Sequence, residues 1–274
     1  MSEALREKAM RFRALHDGPG AFIIPNPWDT ASAKILAGLG FPALATSSAA
    51  CAVGLGRRDG GITREQALAH AAVIAEATDL PVSADLEKGF GDSPEAVAET
   101  IRHAAESGVV GCTIEDTTGR PEGPLYDYSL AVERIAAAAE AARGLGFPFV
   151  LTARTHNLMF AEPRLDETIR RLQAFETVGA DVLFAPGLPD LTAVRAVCSA
   201  VSKPFNFMVG IPGKSFSAEE LAEAGVRRIS LATSLYRAAM TALIETARGV
   251  RATGEFGFVD RVASTGDICK IMGI

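Results

Sequence analysis

The sequence predicts an α/β protein of the (β/α)8 TIM-type barrel class. Eight short β-rich runs alternate with eight helical patterns along 274 residues, which is the size and rhythm of such a barrel. The runs are apolar on both faces, as in a buried parallel sheet. An open doubly wound sheet is the alternative fold, but no dinucleotide-type glycine fingerprint follows the first strand. We expect a single barrel domain over 1–274, with an N-terminal helix near 2–15 and a C-terminal extension after 252.

The predicted elements follow one another in a regular order. The strands are expected at 21–24, 43–46, 82–85, 109–115, 149–153, 182–185, 205–208 and 228–232. The helices are expected at 29–39, 63–78, 94–107, 129–144, 163–179, 190–202, 217–224 and 233–251. Two helices begin with capping boxes, Thr63 with Gln66 and Ser217 with Glu220, and glycines follow five of the helices.

Composition and charge narrow the range of functions. With 27 basic and 33 acidic residues the chain has a net charge of -6, which argues against a nucleic-acid surface. No apolar run reaches transmembrane length, and the charged start of the chain does not resemble a signal peptide. The four cysteines have no paired spacing and are expected to be reduced thiols. We therefore expect a cytoplasmic protein without a nucleic-acid or membrane partner.

Acidic residues follow two consecutive strands of the predicted barrel. Asp85 and Glu87 follow the third strand, and Glu115 ends the fourth. Because parallel neighbouring strands bring their carboxyl ends to one face, we expect these carboxylates to converge. Such acids repel one another unless a cation neutralises them, and hard oxygen ligands suit Mg²⁺ or Mn²⁺. The alternative is that each acid only caps the next helix or pairs with Lys88.

Other strand-end residues complete a pocket for a small anionic oxo acid. The small-residue turn 47–50 can offer backbone N–H groups to an oxyanion. Arg154 can bind a carboxylate through two parallel hydrogen bonds, or form a salt bridge to a barrel acid instead. His156 follows at the same strand end and can act as a general acid or base, with a supporting hydrogen bond as the alternative.

The strand-end motifs, taken in order, resemble the isocitrate lyase/phosphoenolpyruvate mutase superfamily over nearly the whole chain. They are Asn-Pro-Trp-Asp-Thr-Ala-Ser-Ala at 26–33, Thr-Ser-Ser at 46–48, Gly-Arg-Arg-Asp-Gly-Gly at 56–61, Asp-x-Glu-x-Gly-Phe-Gly at 85–91, Ile-Glu-Asp at 114–116 and Ala-Arg-Thr at 153–155. The resemblance implies a helix-swapped barrel that assembles as a homo-oligomer, usually a dimer of dimers. It also implies binding of Mg²⁺ and of a small 2-oxo or dicarboxylic acid.

The resemblance also implies roles for single acidic and basic residues. Asp85 matches the acid that contacts the metal, and Glu87 and Glu115 match acids that hold the water ligands of the metal. Glu87 stands where aspartate is the commoner residue. Asp59 matches an acid that lines the same pocket and is a candidate catalytic residue. His156 is a candidate from its own position, because the family often has an acid there.

Substrate contacts are implied for a second set of residues. Ser47 and Ser48 match the turn whose amides hold the carboxylate or oxo oxygen. Arg154 matches the arginine that faces the substrate and is a candidate for both binding and catalysis. Trp28 and Asn206 are further candidate substrate contacts, although barrel packing explains Trp28 equally well.

Departures from the family pattern bear on the reaction. Isocitrate and methylisocitrate lyases carry a Lys-Cys-Gly-type motif in the loop after the fourth strand, whereas residues 117–125 here contain neither lysine nor cysteine. Cys112 lies inside the preceding strand and is therefore a poor substitute for the cysteine of that motif. Pro186 stands near the place of a glutamate that those lyases carry after the sixth strand. We therefore do not expect efficient isocitrate-type cleavage.

Taken together, these features predict an enzyme, a Mg²⁺-dependent carbon–carbon lyase that acts on a small 2-oxo or 2-hydroxy acid through a metal-stabilised enolate. Oxaloacetate-type decarboxylation fits best, since loss of CO₂ needs no protein acid on the leaving group, and retro-aldol cleavage is a related reaction. The alternatives are a weak (methyl)isocitrate lyase, an enzyme that cleaves the P–C bond of phosphonopyruvate, and a non-catalytic 2-oxo acid-binding protein. The resemblance further implies that the last long helix, 233–251, and the tail with Phe256, Phe258 and Val259 pack on a neighbouring subunit. The alternative is a final helix that closes its own barrel.

Overall fold

Eight parallel strands form the barrel wall in this computed structural model, which describes residues 2–160 and 164–274. The strands are β1 (Phe22–Ile24), β2 (Leu44–Ala45), β3 (Val82–Asp85), β4 (Gly111–Glu115), β5 (Val150–Arg154), β6 (Val182–Phe184), β7 (Phe205–Met208) and β8 (Arg228–Ser230). They pair in the order β1-β8-β7-β6-β5-β4-β3-β2. The Ala45 N–H donates to the Pro25 carbonyl at 3.0 Å, so β2 meets the end of β1 and the ring is nearly closed. The predicted barrel class is confirmed.

Helices cover the outside and the ends of this wall. They are α1 (Glu3–Asp17), α2 (Thr30–Gly38), α3 (Ser48–Gly54), α4 (Arg64–Glu76), α5 (Pro94–Glu106), α6 (Tyr128–Arg143), α7 (Leu165–Thr177), α8 (Leu191–Ala200), α9 (Ala218–Glu223), α10 (Ser234–Thr253) and α11 (Thr265–Met272). Two short 3₁₀ helices lie at Asn157–Met159 and Gly257–Arg261. Both predicted capping boxes are present, at Thr63 and at Ser217. The predicted helix 163–179 corresponds to α7, and its predicted first residue, 163, lies outside the described residues.

The sequence pattern does not predict two helices of the structure, α3 and α11. The prediction places a small-residue turn at 47–50, whereas Ser48–Gly54 forms α3. Ser47 is the N-cap of this helix, and its hydroxyl accepts a hydrogen bond from the Ala50 N–H at 3.3 Å. A helix of seven residues is too short for a 3.6-residue hydrophobic pattern to become visible.

Some strands are shorter than predicted. The predicted fourth strand starts at 109 and the predicted eighth ends at 232, but β4 begins at Gly111 and β8 ends at Ser230. Ala232 has a φ of +47°, which lies outside the β region and prevents the strand from continuing. Val109 and Val110 are fully buried although they precede β4, and Val110 still donates its N–H to the Val82 carbonyl at 2.9 Å.

The N-terminal helix α1 closes one end of the barrel. Its Phe12 is fully buried and belongs to a cluster with Val110, Val150 and Val182, which lie at the amino ends of their strands. A larger core fills the space between the wall and the outer helices. Because α1 covers the amino ends, the carboxyl ends of the strands form the open mouth, where barrels of this class carry their active sites.

The C-terminal helices contribute little to the core of their own chain. Helix α10 is 20 residues long and has no buried residue, and its Leu243 and Ile244 are 60% and 48% exposed. The following α11 packs on α2, where Ile271 lies directly against Gly38. No helix within residues 2–160 and 164–274 combines the length and apolar character needed to traverse a lipid bilayer.

Candidate active site

A cavity of about 850 Å³ opens at the carboxyl ends of the strands. All but one of the residues with a predicted role in the site line this cavity. They are Ser47, Ser48, Asp59, Asp85, Glu87, Glu115, Arg154, His156 and Asn206. The barrel thus brings together residues that are more than 150 positions apart in the sequence, from Ser47 to Asn206.

Trp28 is the predicted residue that does not line the cavity. Its ring packs edge to face on Tyr236, with 5.5 Å between the ring centroids. Its carbonyl oxygen accepts a hydrogen bond from His70 Nε2 at 3.0 Å. These contacts agree with the alternative that Trp28 serves in packing. A contact between Trp28 and the substrate stays a prediction.

Asp85 is held in place at the end of β3 by its neighbours. Its backbone N–H donates to Thr46 Oγ1 at 2.9 Å. The N–H and the hydroxyl of Ser48 both donate to Asp85 Oδ2, at 3.1 and 3.0 Å. Among the described residues, Oδ1 accepts only a long hydrogen bond of 3.4 Å from the Glu87 N–H. The first turn of α3 therefore orients the Asp85 carboxylate, and the Ser48 amide predicted to face the substrate is directed at Asp85.

Glu87 has an unusual backbone and an unusual carboxyl group. Its φ of +51° lies in the left-handed region, which residues with a Cβ rarely adopt and which concentrates at functional sites. Its Oε1 is buried without a hydrogen-bond partner among the residues that the structure describes. Burial, together with the negative charges of Asp85, Asp59 and Glu115, raises the pKa of Glu87 to about 8. The pocket therefore disfavours another negative charge at this position.

Asp59 lies at the rim of the cavity beside the same acids. Its Oδ1 accepts a hydrogen bond from the Gly60 N–H at 3.1 Å and lies 3.4 Å from the Ser48 hydroxyl. The residue remains accessible to solvent, but its carboxylate is partly enclosed by protein atoms. This partial burial and the charges of Asp85 and Glu115 raise the pKa of Asp59.

Glu115 is paired with two basic side chains. Its Oε2 lies 3.4 Å from Arg154 Nη1 and 2.9 Å from His156 Nε2. Its Oε1 accepts a hydrogen bond from the Thr117 hydroxyl at 2.6 Å. Burial alone would raise the pKa of Glu115, but the charges of Arg154 and His156 hold that pKa well below its usual range.

The neighbouring acid, Asp116, has a structural role. It is 2% exposed, and its Oδ1 accepts a hydrogen bond from the His156 N–H at 2.9 Å. Its Oδ2 lies 3.2 Å from Arg171 Nη1, on α7. Asp116 therefore fixes the backbone that carries His156, which explains why a second acid follows Glu115.

The loop at 117–125 folds over the cavity. Six of its residues, Thr117 to Pro121 and Pro124, are part of the cavity wall. Asp92 ties the loop to the barrel, because its carboxylate lies 2.8 Å from Lys88 Nζ and 3.5 Å from Arg120 Nη1. The Tyr126 hydroxyl also donates to Asp92, at 2.5 Å. These hydrogen bonds and charges lower the pKa of Asp92 to about 2, so the carboxylate stays ionised at neutral pH.

Phe184 and Arg228 are examples of cavity-lining residues that sequence reasoning missed. The Arg154 guanidinium stacks on the Phe184 ring at 4.7 Å from its centroid. Arg228, the first residue of β8, donates through Nε to Asn206 Oδ1 at 2.8 Å, and Asn206 Nδ2 donates to the Ser230 hydroxyl at 3.0 Å. The Asn206 amide is therefore already engaged within the protein. A charged residue inside an apolar strand is the signal that could have identified Arg228.

The acidic end of the cavity suits a divalent cation. Its donors are carboxylate and hydroxyl oxygens, which Mg²⁺ and Mn²⁺ prefer. Within the two described ranges, no three His, Cys, Asp or Glu side chains are close enough to bind one ion together. The residues therefore fit one direct ligand with further acids bonded to the water ligands of the ion. That is the pattern which the resemblance implies for Asp85, Glu87 and Glu115, and the unpartnered Glu87 Oε1 agrees with it.

Comparison with protein families supports the motif-based resemblance. A family model described as phosphoenolpyruvate phosphomutase matches residues 12–251. The chain belongs to this family. The phosphoenolpyruvate phosphomutase family and the named relatives place the chain in the isocitrate lyase/phosphoenolpyruvate mutase superfamily, whose members are lyases and mutases. The predicted superfamily and the prediction of an enzyme are confirmed.

Individual members of the family are similar to this chain over most of its length. A protein of Burkholderia cenocepacia J2315, assigned provisionally as a lyase or mutase, is 49% identical, with a TM-score of 0.97 over 100% of this chain and 98% of its own. The 2-methylisocitrate lyase of Escherichia coli K12 is 32% identical over 73% of this chain and 69% of its own. The oxaloacetate decarboxylase of Bradyrhizobium diazoefficiens is 29% identical over 90% and 86%. These relatives carry different reaction names, so membership of the family alone does not select one reaction.

Proposed function

We propose that this family member is a Mg²⁺-dependent lyase that cleaves a carbon–carbon bond of a small 2-oxo acid, with oxaloacetate-type decarboxylation as the favoured reaction. The observation that carries this proposal is the grouping of four carboxylates, on Asp59, Asp85, Glu87 and Glu115, in one cavity beside Arg154. Acids in such proximity need a cation, whereas a substrate anion needs the arginine. A metal ion and an anionic oxo acid can therefore share this cavity.

Three of these acids would hold the ion. Asp85 is the oriented carboxylate with a largely free Oδ1, and Glu87 and Glu115 are placed to bind its waters. When bound, Mg²⁺ supplies a Lewis acid that polarises the carboxylate and carbonyl of a 2-oxo acid. Mn²⁺ has the same ligand preferences and could replace it.

The protein side chains support the remaining steps of decarboxylation. When the C3–C4 bond of oxaloacetate breaks, CO₂ leaves and the electron pair moves toward C2, so negative charge develops on the 2-oxo oxygen. Arg154 can stabilise this charge, because its Nε is buried without a hydrogen-bond partner among the described residues. His156 can deliver the proton that C3 then needs to give pyruvate.

The residue types of the loop at 117–125 favour decarboxylation over isocitrate-type cleavage. The loop at 117–125 contributes threonines and Arg120 to the cavity, but neither a thiol nor an amine. Cys112 is fully buried in β4, and burial raises the pKa of its thiol, so it cannot serve as an acid or base toward a leaving fragment. Loss of CO₂ requires no such group. Because a 2-methylisocitrate lyase is among the relatives, that reaction remains the second candidate.

A substrate panel with metal control tests the proposal. Oxaloacetate, isocitrate, 2-methylisocitrate and phosphonopyruvate are incubated with the protein in Mg²⁺ or in EDTA, and the products are identified. We expect Mg²⁺-dependent formation of pyruvate from oxaloacetate, with competitive inhibition by oxalate, which mimics the enolate of pyruvate. Binding of oxalate with no product from any substrate would instead indicate a binding protein, and cleavage of 2-methylisocitrate would select the second candidate.

Substitution of Asp85 tests the metal site in particular. Asp85→Ala should abolish Mg²⁺-dependent oxalate binding in calorimetry without lowering the melting temperature, because it removes the direct ligand and relieves repulsion among buried acids. Glu87→Asp should reduce Mg²⁺-dependent oxalate binding far less than Glu87→Ala. Aspartate keeps the carboxylate and only shortens the side chain by one methylene group, whereas alanine removes the carboxylate. Glu76→Ala, an exposed acid outside the cavity, is the matched control. Undiminished oxalate binding in EDTA would contradict the metal site.

A further inference from the structure

One positive charge in the cavity has no negative partner. Four lysine or arginine side chains line the cavity within the described residues. Three of them lie within 4 Å of a carboxylate: Lys88 at 2.8 Å and Arg120 at 3.5 Å from Asp92, and Arg154 at 3.4 Å from Glu115. Arg228 has no carboxylate within that distance among the residues that the structure describes. Its charge is therefore available to an anion from outside the protein.

Arg228 is buried at the floor of the cavity. The residue is 4% exposed, and its guanidinium extends from β8 across to β5, where Nη2 donates to Thr152 Oγ1 at 3.0 Å. Nε donates to Asn206, and Nη1 is enclosed without a hydrogen-bond partner in the described part of the chain. A buried cation with an unused donor is unfavourable by itself, so it calls for a ligand.

Small side chains form part of the cavity wall. Barrels of this class normally fill their interior with large branched residues. Here Ala45, Ser83 and Thr113 line the same cavity as Arg228. Burial lowers the pKa of Arg228 to about 9, which leaves the side chain charged at neutral pH. The cavity thus has an acidic end beside Asp85 and a separate basic floor.

We propose that Arg228 binds a second carboxylate of the substrate and so makes the enzyme select dicarboxylic over monocarboxylic acids. This inference rests on the proposed function, because the first carboxylate is assigned to the metal end of the cavity. A 2-oxo or 2-hydroxy dicarboxylic acid could then span the two ends. Arg228 is a specificity-determining residue in this arrangement, whereas Arg154 acts near the reacting carbonyl.

The alternative is that Arg228 serves only to hold Asn206 and Thr152. The two roles predict different results, because a structural role affects every ligand and the folded state alike. A binding role affects only ligands with a second carboxylate. Malate and 2-hydroxybutanoate separate them, since both have four carbons and a 2-hydroxy acid end and only malate has the distal carboxylate. Oxalate has no carboxylate beyond the two that would chelate the metal ion.

The test measures the dissociation constants of these three ligands by calorimetry in Mg²⁺, for the wild type and for Arg228→Met and Arg228→Lys. The wild type should bind malate about 10- to 100-fold more tightly than 2-hydroxybutanoate, as expected for a buried charge-assisted contact. Arg228→Met should remove this preference, while its dissociation constant for oxalate stays within about twofold of the wild-type value. Arg228→Lys should retain part of the preference, because it keeps the charge but loses the planar donors.

Three results would overturn the assignment. They are a wild type that does not prefer malate, a preference that survives in Arg228→Met, and an equal loss of all three ligands. If Arg228→Met does not fold, the wild-type preference and Arg228→Lys decide the question. Failure of the wild type to bind oxalate in Mg²⁺ would show that the proposed function has failed, and the Arg228 assignment would fall with it. Oxalate binding without a malate preference would remove the Arg228 assignment alone.

Discussion

At the scale of single residues, two glutamates of the cavity have pKa values that are shifted in opposite directions. Glu115 faces Arg154 and His156, which keep it ionised, whereas Glu87 faces other acids and has a raised pKa. Environments that push the pKa values of neighbouring carboxyl groups apart are typical of catalytic sites. Glu115 therefore provides a permanent negative charge, while the charge of Glu87 depends on what else the cavity contains.

Substitution of Arg154 tests whether its guanidinium stabilises the charge that develops during the reaction. Arg154→Lys keeps the positive charge but loses the planar donors and the stacking on Phe184. The loss of a charge-assisted interaction of about 2–3 kcal/mol should lower kcat/KM by about 30- to 150-fold. Steady-state kinetics with oxaloacetate and Mg²⁺ measures this change. Arg195→Lys, at an exposed position on α8, serves as the matched control.

An unchanged kcat/KM for Arg154→Lys would contradict the role of Arg154 in charge stabilisation. A fall in kcat/KM that comes only from a higher KM would restrict its role to ground-state binding, because uniform binding does not change kcat. The expected result is therefore a lower kcat as well.

At the scale of secondary-structure elements, the ends of strands and helices bring the site together. The strand β3 presents Asp85, and the first turn of the short α3 holds its carboxylate through Ser48. The loop after β4 covers the cavity and is tied to the loop after β3 through Asp92. The barrel wall is rigid, so these short connections determine the shape of the site.

The contact between α2 and α11 gives a prediction about stability. Gly38 is the last residue of α2, and a Cβ placed there would collide with the carbonyl oxygen of Ile271 in α11. Gly38→Ala should therefore displace α11 and destabilise the protein by about 1–3 kcal/mol in urea unfolding, as overpacking does. Gly54→Ala is the matched control, because Gly54 also ends a helix and has open space around it.

The control should be neutral or should stabilise the protein by about 0.4–1 kcal/mol, since alanine reduces the conformational freedom of the unfolded chain. Equal stability of the Gly38→Ala and Gly54→Ala proteins would show that α11 does not depend on this close packing. Hydrogen exchange at 265–272 would report the displacement of α11 directly.

At the scale of the whole molecule, we propose that the chain forms a homo-oligomer through its C-terminal segment. Helix α10 has no buried residue, and apolar side chains are exposed along the segment. They are Leu243, Ile244, Phe256, Val259 and Val262, each at least 48% exposed. The family resemblance implies exchange of this helix between subunits, usually in a dimer of dimers. A neighbouring subunit would remove this apolar surface from water.

Sedimentation tests the assembly. The wild type should sediment as an oligomer at micromolar concentration, and its melting temperature should rise with protein concentration. The double substitution Leu243→Glu and Ile244→Glu should shift the protein to a smaller species, because it places charges in an apolar contact. Val73→Glu, an exposed valine on α4, is the control for added surface charge. A stable wild-type monomer under these conditions would contradict the proposal.

Local sequence patterns were sufficient to predict several features of this protein. The eight strand–helix units follow from hydrophobic periodicity and capping residues, which act within a few positions of each other. The position of the site follows from the rule that parallel strands bring their carboxyl ends to one face. For that reason Asp85, Glu115 and Arg154 could be assigned to one cavity before any contact between them was known.

Only the three-dimensional contacts show which of these groups form hydrogen bonds and ion pairs with one another. Ser48 bonds to Asp85 across 37 positions of sequence, and Arg228 reaches Thr152 across 76. Local patterns carry no information about such pairings, because the contacts depend on the direction of side chains inside the closed barrel. Arg228 can be identified as the cation without a carboxylate partner only after the contacts of the other cavity cations are known. This is because the residues that could pair with Arg228 come from several different strands and loops.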